Sequence, residues 1–136
     1  MPTSTDTNYV FFRKRIRILN ALGPYLRENE SKPEVFMFDC LTICVDAGVE
    51  PAKREFYGWW LKMDLVGDVC EYHYQFGLFN EQGHWQKKAV PKQYRDDVVK
   101  SLNKFYEVLS PCLQDKLALQ LKPSAILAKA LILSAA

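Results

Sequence analysis

The sequence predicts an α+β domain, an antiparallel sheet of about four to five strands flanked by amphipathic helices. Three observations carry that expectation. Two stretches, Tyr9–Leu22 and Pro91–Leu109, set apolar residues three and four apart, the spacing of one helix face. Between them, Glu55–Leu65 and Val69–Phe79 alternate on either side of Gly67-Asp68, the pattern of a hairpin. The 136 residues contain no internal repeat and no linker, so residues 1–136 read as one domain with flexible tails at 1–8 and 124–136.

In the first helix Tyr9, Phe12, Ile16, Leu19 and Leu22 share a face, with Arg13, Lys14 and Arg17 elsewhere. Gly23-Pro24 ends it, since Gly accepts a left-handed backbone and Pro cannot continue the helix. Val35–Val45, rich in β-branched and aromatic residues, reads as a strand, and residues 46–54 as a mobile loop. In Glu55–Leu65 one parity holds Tyr57, Trp59, Leu61, Met63 and Leu65, the other Phe56, Gly58, Trp60, Lys62 and Asp64. Alternation therefore puts Trp59 in the core and Trp60 outside. Along the next strand Tyr72, Tyr74 and Phe76 share the apolar face, and Asn80–Gly83 turns the chain into a short strand at His84–Lys87. In the second helix Tyr94, Val98, Leu102, Phe105 and Leu109 face inward, and Pro111 predicts a kink or a restart capped by Ser110. Leu117–Lys122 alternates as a last strand.

Composition narrows the function. Hydrophobic residues at 49% and charged residues at 25% are ordinary for a globular chain, and 18 basic against 16 acidic residues leave a net charge of only +2. Proteins that hold DNA by neutralising many phosphates carry more positive charge, so direct DNA binding is not expected. The basic faces of the helices at 9–22 and 92–109 keep a nucleic-acid-binding protein as the alternative. The N-terminus has no apolar run of a secretory signal, and Ala125–Ala136, interrupted by Lys129, is shorter than the roughly 20 residues of a membrane helix. A cytoplasmic protein with no membrane span is expected.

Reduced cysteines follow from that compartment. Cys40 and Cys44 are too far apart on a strand, about 13 Å at ~3.3 Å per residue, to chelate one metal, and read as small buried residues on one strand face. His73 and His84 stand in no nucleophile or metal motif, and the dispersed glycines make no phosphate loop. No enzyme activity, cofactor or metal is expected. Asp39, an acid inside an apolar strand, calls for a cationic or hydrogen-bonding partner. Arg54 beside Phe56 and Trp60 has the composition of a binding hot spot, with coverage by a helix as the competing explanation.

Four motifs in order, Ala21-Leu-Gly-Pro-Tyr-Leu-Arg-Glu28, Phe38-Asp-Cys-Leu-Thr-Ile-Cys-Val45, Arg54-Glu-Phe-Tyr-Gly-Trp-Trp60 and Tyr74-Gln-Phe-Gly-Leu-Phe-Asn80 with Gly83-His-Trp85, resemble the Crl family of sigma-factor-binding proteins. The resemblance runs from about Arg13 to Lys122. It implies a monomeric cytoplasmic transcription activator that binds domain 2 of sigma-S and bridges to the β′ subunit of core RNA polymerase, with weaker action on other sigma factors. Carried over by residue, it implies sigma contacts at Tyr25, Phe56, Trp59 and Trp85, a basic contact at Arg54, and a matching acid at Asp39. Alternation and resemblance thus disagree at Trp59, and a bulge or an uncovered concave sheet face would reconcile them.

Overall fold

The turn at Gly67-Asp68 sets the register of the sheet. Gly67 has φ 64°, the positive value that a II′ hairpin turn asks of its first central residue. In the computed structural model, which describes residues 4–23 and 25–125 with side chains from residue 10 onward, this turn joins β2 (Phe56–Val66) to β3 (Val69–Phe79). The two strands pair without interruption from Phe56↔Phe79 to Val66↔Val69. β1 (Val35–Cys44) pairs antiparallel with β2, and β4 (Trp85–Gln86) with the end of β3.

The α+β expectation holds, with one addition. β5 (Gln120–Pro123) pairs parallel with the start of β3, so the sheet of five strands is mixed. A parallel neighbour needs a crossover connection, and the long helix α2 (Lys92–Leu117) supplies it.

The helices depart from the expected bounds in three places. α1 spans Ser4–Asn20, so residues 4–8, expected in a tail, are helical; Ser, Thr and Asp are favoured around a helix start. The turn after α1 reaches Gly23 at φ 136°, while Pro24 and the tail residues 126–136 lie outside the described residues. α2 runs through Pro111 without restarting at Ser110. Pro111 sits on the exposed side of the helix, where water can serve the carbonyl that its missing N–H leaves free. α2 therefore takes in Leu117 and ends only at Ala118, whose φ is 55°, and β5 begins three residues later than expected.

Both helices pack on one face of the sheet. Phe36, Phe38, Trp59, Leu61 and Met63 are at most 1% exposed there, against Leu19, Val98, Phe105, Leu109 and Leu113. Each such side chain contributes about 1.5–3 kcal/mol by leaving water. The core cluster contains no residue of the Phe56, Trp60 and Gln75 face. That face is open.

A bulge in β1 corrects the reading of the cysteines. Register shifts between Leu41 and Ile43, so Thr42 is extra and reverses the parity of the rest of the strand. Cys40 lies opposite Trp59 on the helix side, whereas Cys44 lies opposite Phe56 on the open side. Both are half-buried; Cys70 and Cys112 are buried, and all four thiols are free.

Candidate binding surface

The open face is organised around two glycines. The hairpin register sets Gly58 directly opposite Gly77, which leaves a strip of bare backbone in the middle of the sheet. Trp85 fills it. A Cβ built on Gly77 would stand 2.5 Å from the Trp85 ring, so only glycine lets the indole lie against the strand. The ring is fixed on its other sides as well: its Nε1 donates to Gln75 Oε1 at 2.9 Å, and its ring centroid is 4.8 Å from that of Phe79 and 6.4 Å from that of Trp60.

Local sequence delivers Trp85 to that place. Asn80 Oδ1 accepts the N–H groups of Gln82 (3.0 Å) and His84 (2.9 Å), the Asx-turn chemistry that favours Asn in tight turns, and Gly83 takes φ 76°. The Asn80 N–H closes the loop on the His84 carbonyl at 2.9 Å. The chain thus re-enters the sheet with Trp85 opposite Phe79 and on the same face.

Beside this aromatic cluster lies a basin of about 560 Å³ lined by Arg27, Asp39, Leu41, Arg54, Phe56 and Phe79, among others. Arg54 forms one wall. Its Nε donates to the Val49 carbonyl at 3.0 Å and its Nη2 to the Ala47 carbonyl at 2.8 Å, so the guanidinium closes the loop before β2 and has no carboxylate partner among the described residues. Asp39 has the partner its position demanded: Arg27 donates to it and forms an ion pair with it. The Asp39 hydrogen bond, ahead of the opposing desolvation, holds the Arg27 guanidinium above its usual pKa. Glu30 and Glu81 line the basin as well, and among the described residues no ion pair joins either of them to Arg54.

The expected contact residues divide between the two sides of the sheet. Asp39, Arg54 and Phe56 meet in the basin, and Trp85 adjoins it through Phe79. Trp59 does not join them: it is 0% exposed, its ring centroid 5.3 Å from that of Phe105, and its Nε1 donates to Ser101 Oγ at 3.2 Å. The unbroken β2–β3 register means that no bulge in the hairpin turns it round. Trp60 is the tryptophan of β2 that stands on the open face, edge-on to His73 at 5.3 Å. Tyr25 also belongs to the helix side, with ring centroids 5.0 Å from Phe105 and 5.9 Å from Trp59.

Sequence reasoning missed Gln75, Phe79, Asn80 and the glycine pair. The pair had a usable signal, because a two-residue turn at Gly67-Asp68 already sets position 58 against position 77. Arg27 as the partner of Asp39 had none, since the ion pair closes across a bridge between Leu26 and Phe38 that no pattern announces.

Among the described residues no group of three or more His, Cys, Asp or Glu is placed to hold a metal ion, and no helix is long and apolar enough to cross a membrane. Burial pushes the Cys70 thiol up to about 11 from its ordinary 9.0. Cys70 is therefore expected to resist iodoacetamide at pH 8 in the native protein and to react on unfolding, as peptide mass spectrometry would read. Because the unfolded thiol ionises first, its contribution to stability is present below pH 9 and declines as pH rises toward 11. A urea midpoint that does not fall over that interval would contradict this.

A family model described as sigma factor-binding transcriptional regulator Crl matches residues 3–130. The chain belongs to the Crl family. A Crl-family relative, the sigma factor-binding protein Crl of Photobacterium profundum, is 39% identical over 132 residues, covering 97% of this chain and 99% of the relative. The protein of the same name from Vibrio vulnificus is 34% identical over 116 residues, 85% of this chain and 90% of the relative. That of Vibrio cholerae is 32% identical over 114 residues, 84% and 85%. In this Crl-family chain the open face carries Arg54, Phe56, Phe79 and Trp85 together.

Proposed function

We propose that the chain is a transcription activator that binds a sigma factor, sigma-S through its domain 2, and promotes its assembly with core RNA polymerase. Family membership supports the sigma partner, and one observation supports the surface: Arg54, whose guanidinium is held by two loop carbonyls and by no carboxylate, shares a basin with Phe56 and Phe79 on a sheet face to which neither α-helix packs, and Trp85 stands against Phe79. Such a face suits an acidic segment of a partner flanked by apolar side chains.

Assembly follows from linkage. A protein that touches sigma and the β′ subunit together strengthens their association by a coupling energy of about 1–3 kcal/mol, or 5–150-fold, and is bound more tightly by the pair. In this scheme Arg54, Phe56 and Trp85 touch sigma, Asp39 holds Arg27 at the edge of the contact, and Trp59 and Tyr25 support the sheet from behind. Calorimetry with purified sigma-S tests the reading: saturable binding of one sigma per chain is expected, tightening when core polymerase is added. Absence of binding, together with salt-dependent binding to duplex DNA alone, would replace it with the nucleic-acid reading.

A further inference from the structure

A groove runs between the edge of β3 and α2, on the side of the sheet away from the Arg54 basin. Its wider part, about 440 Å³, is walled by Phe76, Val90, Val98 and Val99, with Lys87, Lys88 and Arg95 also lining it. One helical turn further along α2, beyond the Tyr74 and Phe76 rings whose centroids are 5.4 Å apart, lies a second hollow of about 200 Å³ lined by Leu61, Tyr72, Tyr74, Leu102, Asn103 and Tyr106. Among the described residues no acidic side chain lines either part. Val99 and Tyr106 remain 36% and 37% exposed.

The cations Lys87, Lys88 and Arg95 therefore all belong to the first hollow, and the second is lined by uncharged side chains, aromatic and aliphatic apart from Asn103. We infer that it binds a single-chain anionic amphiphile, a fatty acid, whose carboxylate sits at Lys87, Lys88 and Arg95 and whose chain runs past Val98, Val99 and Leu102 toward Tyr106. The wider part has the volume of a small-molecule site, which is commonly about 300–1,000 Å³, mostly apolar and marked by a few polar groups that fix orientation. Lys87 and Lys88 are exposed, so their stems cover apolar surface while their heads reach the mouth. Arg95 is braced there by its Nη2 on the Val90 carbonyl, at 3.4 Å. A peptide laid in the same place would bring backbone polar groups against apolar walls, and an uncharged lipid would leave the cations without a partner.

The test titrates sodium dodecanoate, below its micelle concentration, into the full chain by calorimetry and by methyl NMR. Saturable binding is expected, with shifts at Val98, Val99 and Leu102. Dodecan-1-ol should bind at least tenfold more weakly, and Lys87→Glu/Lys88→Glu and Val99→Asp should each weaken dodecanoate at least tenfold while leaving sigma-S binding intact. Equal affinity for the alcohol, an unchanged affinity in the variants, or shifts confined to the Arg54 basin would overturn the inference. So would nuclear Overhauser contacts between residues 126–133 and Val99 in the free chain, or binding to phosphatidylglycerol vesicles with none to dodecanoate.

Discussion

Arg54→Ala should lower the affinity for sigma-S about 30-fold or more while leaving the fold intact. Removing one partner of a desolvated ion pair costs about 2–5 kcal/mol, and each 1.4 kcal/mol is tenfold in affinity. The fold loses little, because the guanidinium's native partners are two carbonyls of the neighbouring loop and each such bond contributes only about 0.5–1.5 kcal/mol net. Arg54→Lys separates charge from shape: it keeps the cation and loses the fork that matches a carboxylate, so it should fall between wild type and alanine. The matched comparison is Trp59→Phe. Trp59 has no exposed surface, so its replacement should lower the melting temperature yet leave affinity within a few-fold at temperatures where the protein is folded. Calorimetry beside a thermal melt reads both quantities. Wild-type affinity in Arg54→Ala would show that the basin is not the sigma surface, and loss of affinity in a fully folded Trp59→Phe would show that the helix side takes part.

These expectations depend on which side of the sheet each residue occupies, and the sequence carried that information unevenly. Along β2 and β3 the alternation from a single glycine turn was enough: it put Trp59 under the helices and Trp60 outside, as the register has them. The resemblance pointed at Trp59 as a contact, but likeness between sequences identifies important positions without saying whether they touch a partner or hold up what does. Along β1 alternation failed after Leu41, because one extra residue, Thr42, moves Cys44 to the other face. A bulge leaves no period-two signature. At Pro111 the restart at Ser110 does not occur: the rule against proline inside a helix is a statement of cost, and a helix held along its length by Leu102, Phe105, Leu109 and Leu113 can bear that cost at an exposed position.

Gly58 and Gly77 face each other across the hairpin, yet alanine at the two positions should have different consequences. At Gly58 a Cβ would stand 1.9 Å from the Cys40 carbonyl oxygen and 3.0 Å from its carbon. Both are backbone atoms of β1, and β2 is held between β1 and β3, so no side chain can turn away to relieve the clash. Gly58→Ala should therefore cost about 3 kcal/mol or more, at the upper end of what overpacking does, and lower the melting temperature by about 10 °C or more. At Gly77 the Cβ meets the Trp85 ring and the Gln86 carbonyl, both at 2.5 Å. These belong to β4, a strand of two residues at the edge of the sheet, which can lift without disturbing the core. Gly77→Ala should cost less in stability, about 1–2 kcal/mol, but it dislodges the indole from the open face. Its affinity for sigma-S should drop at least tenfold, to the level of Trp85→Ala, with a change in tryptophan fluorescence reporting the displaced ring. If Gly77→Ala moved the indole and bound sigma-S as tightly as wild type, the seat of Trp85 on the glycine would belong to folding alone, and the contact would contract to Arg54 and Phe56.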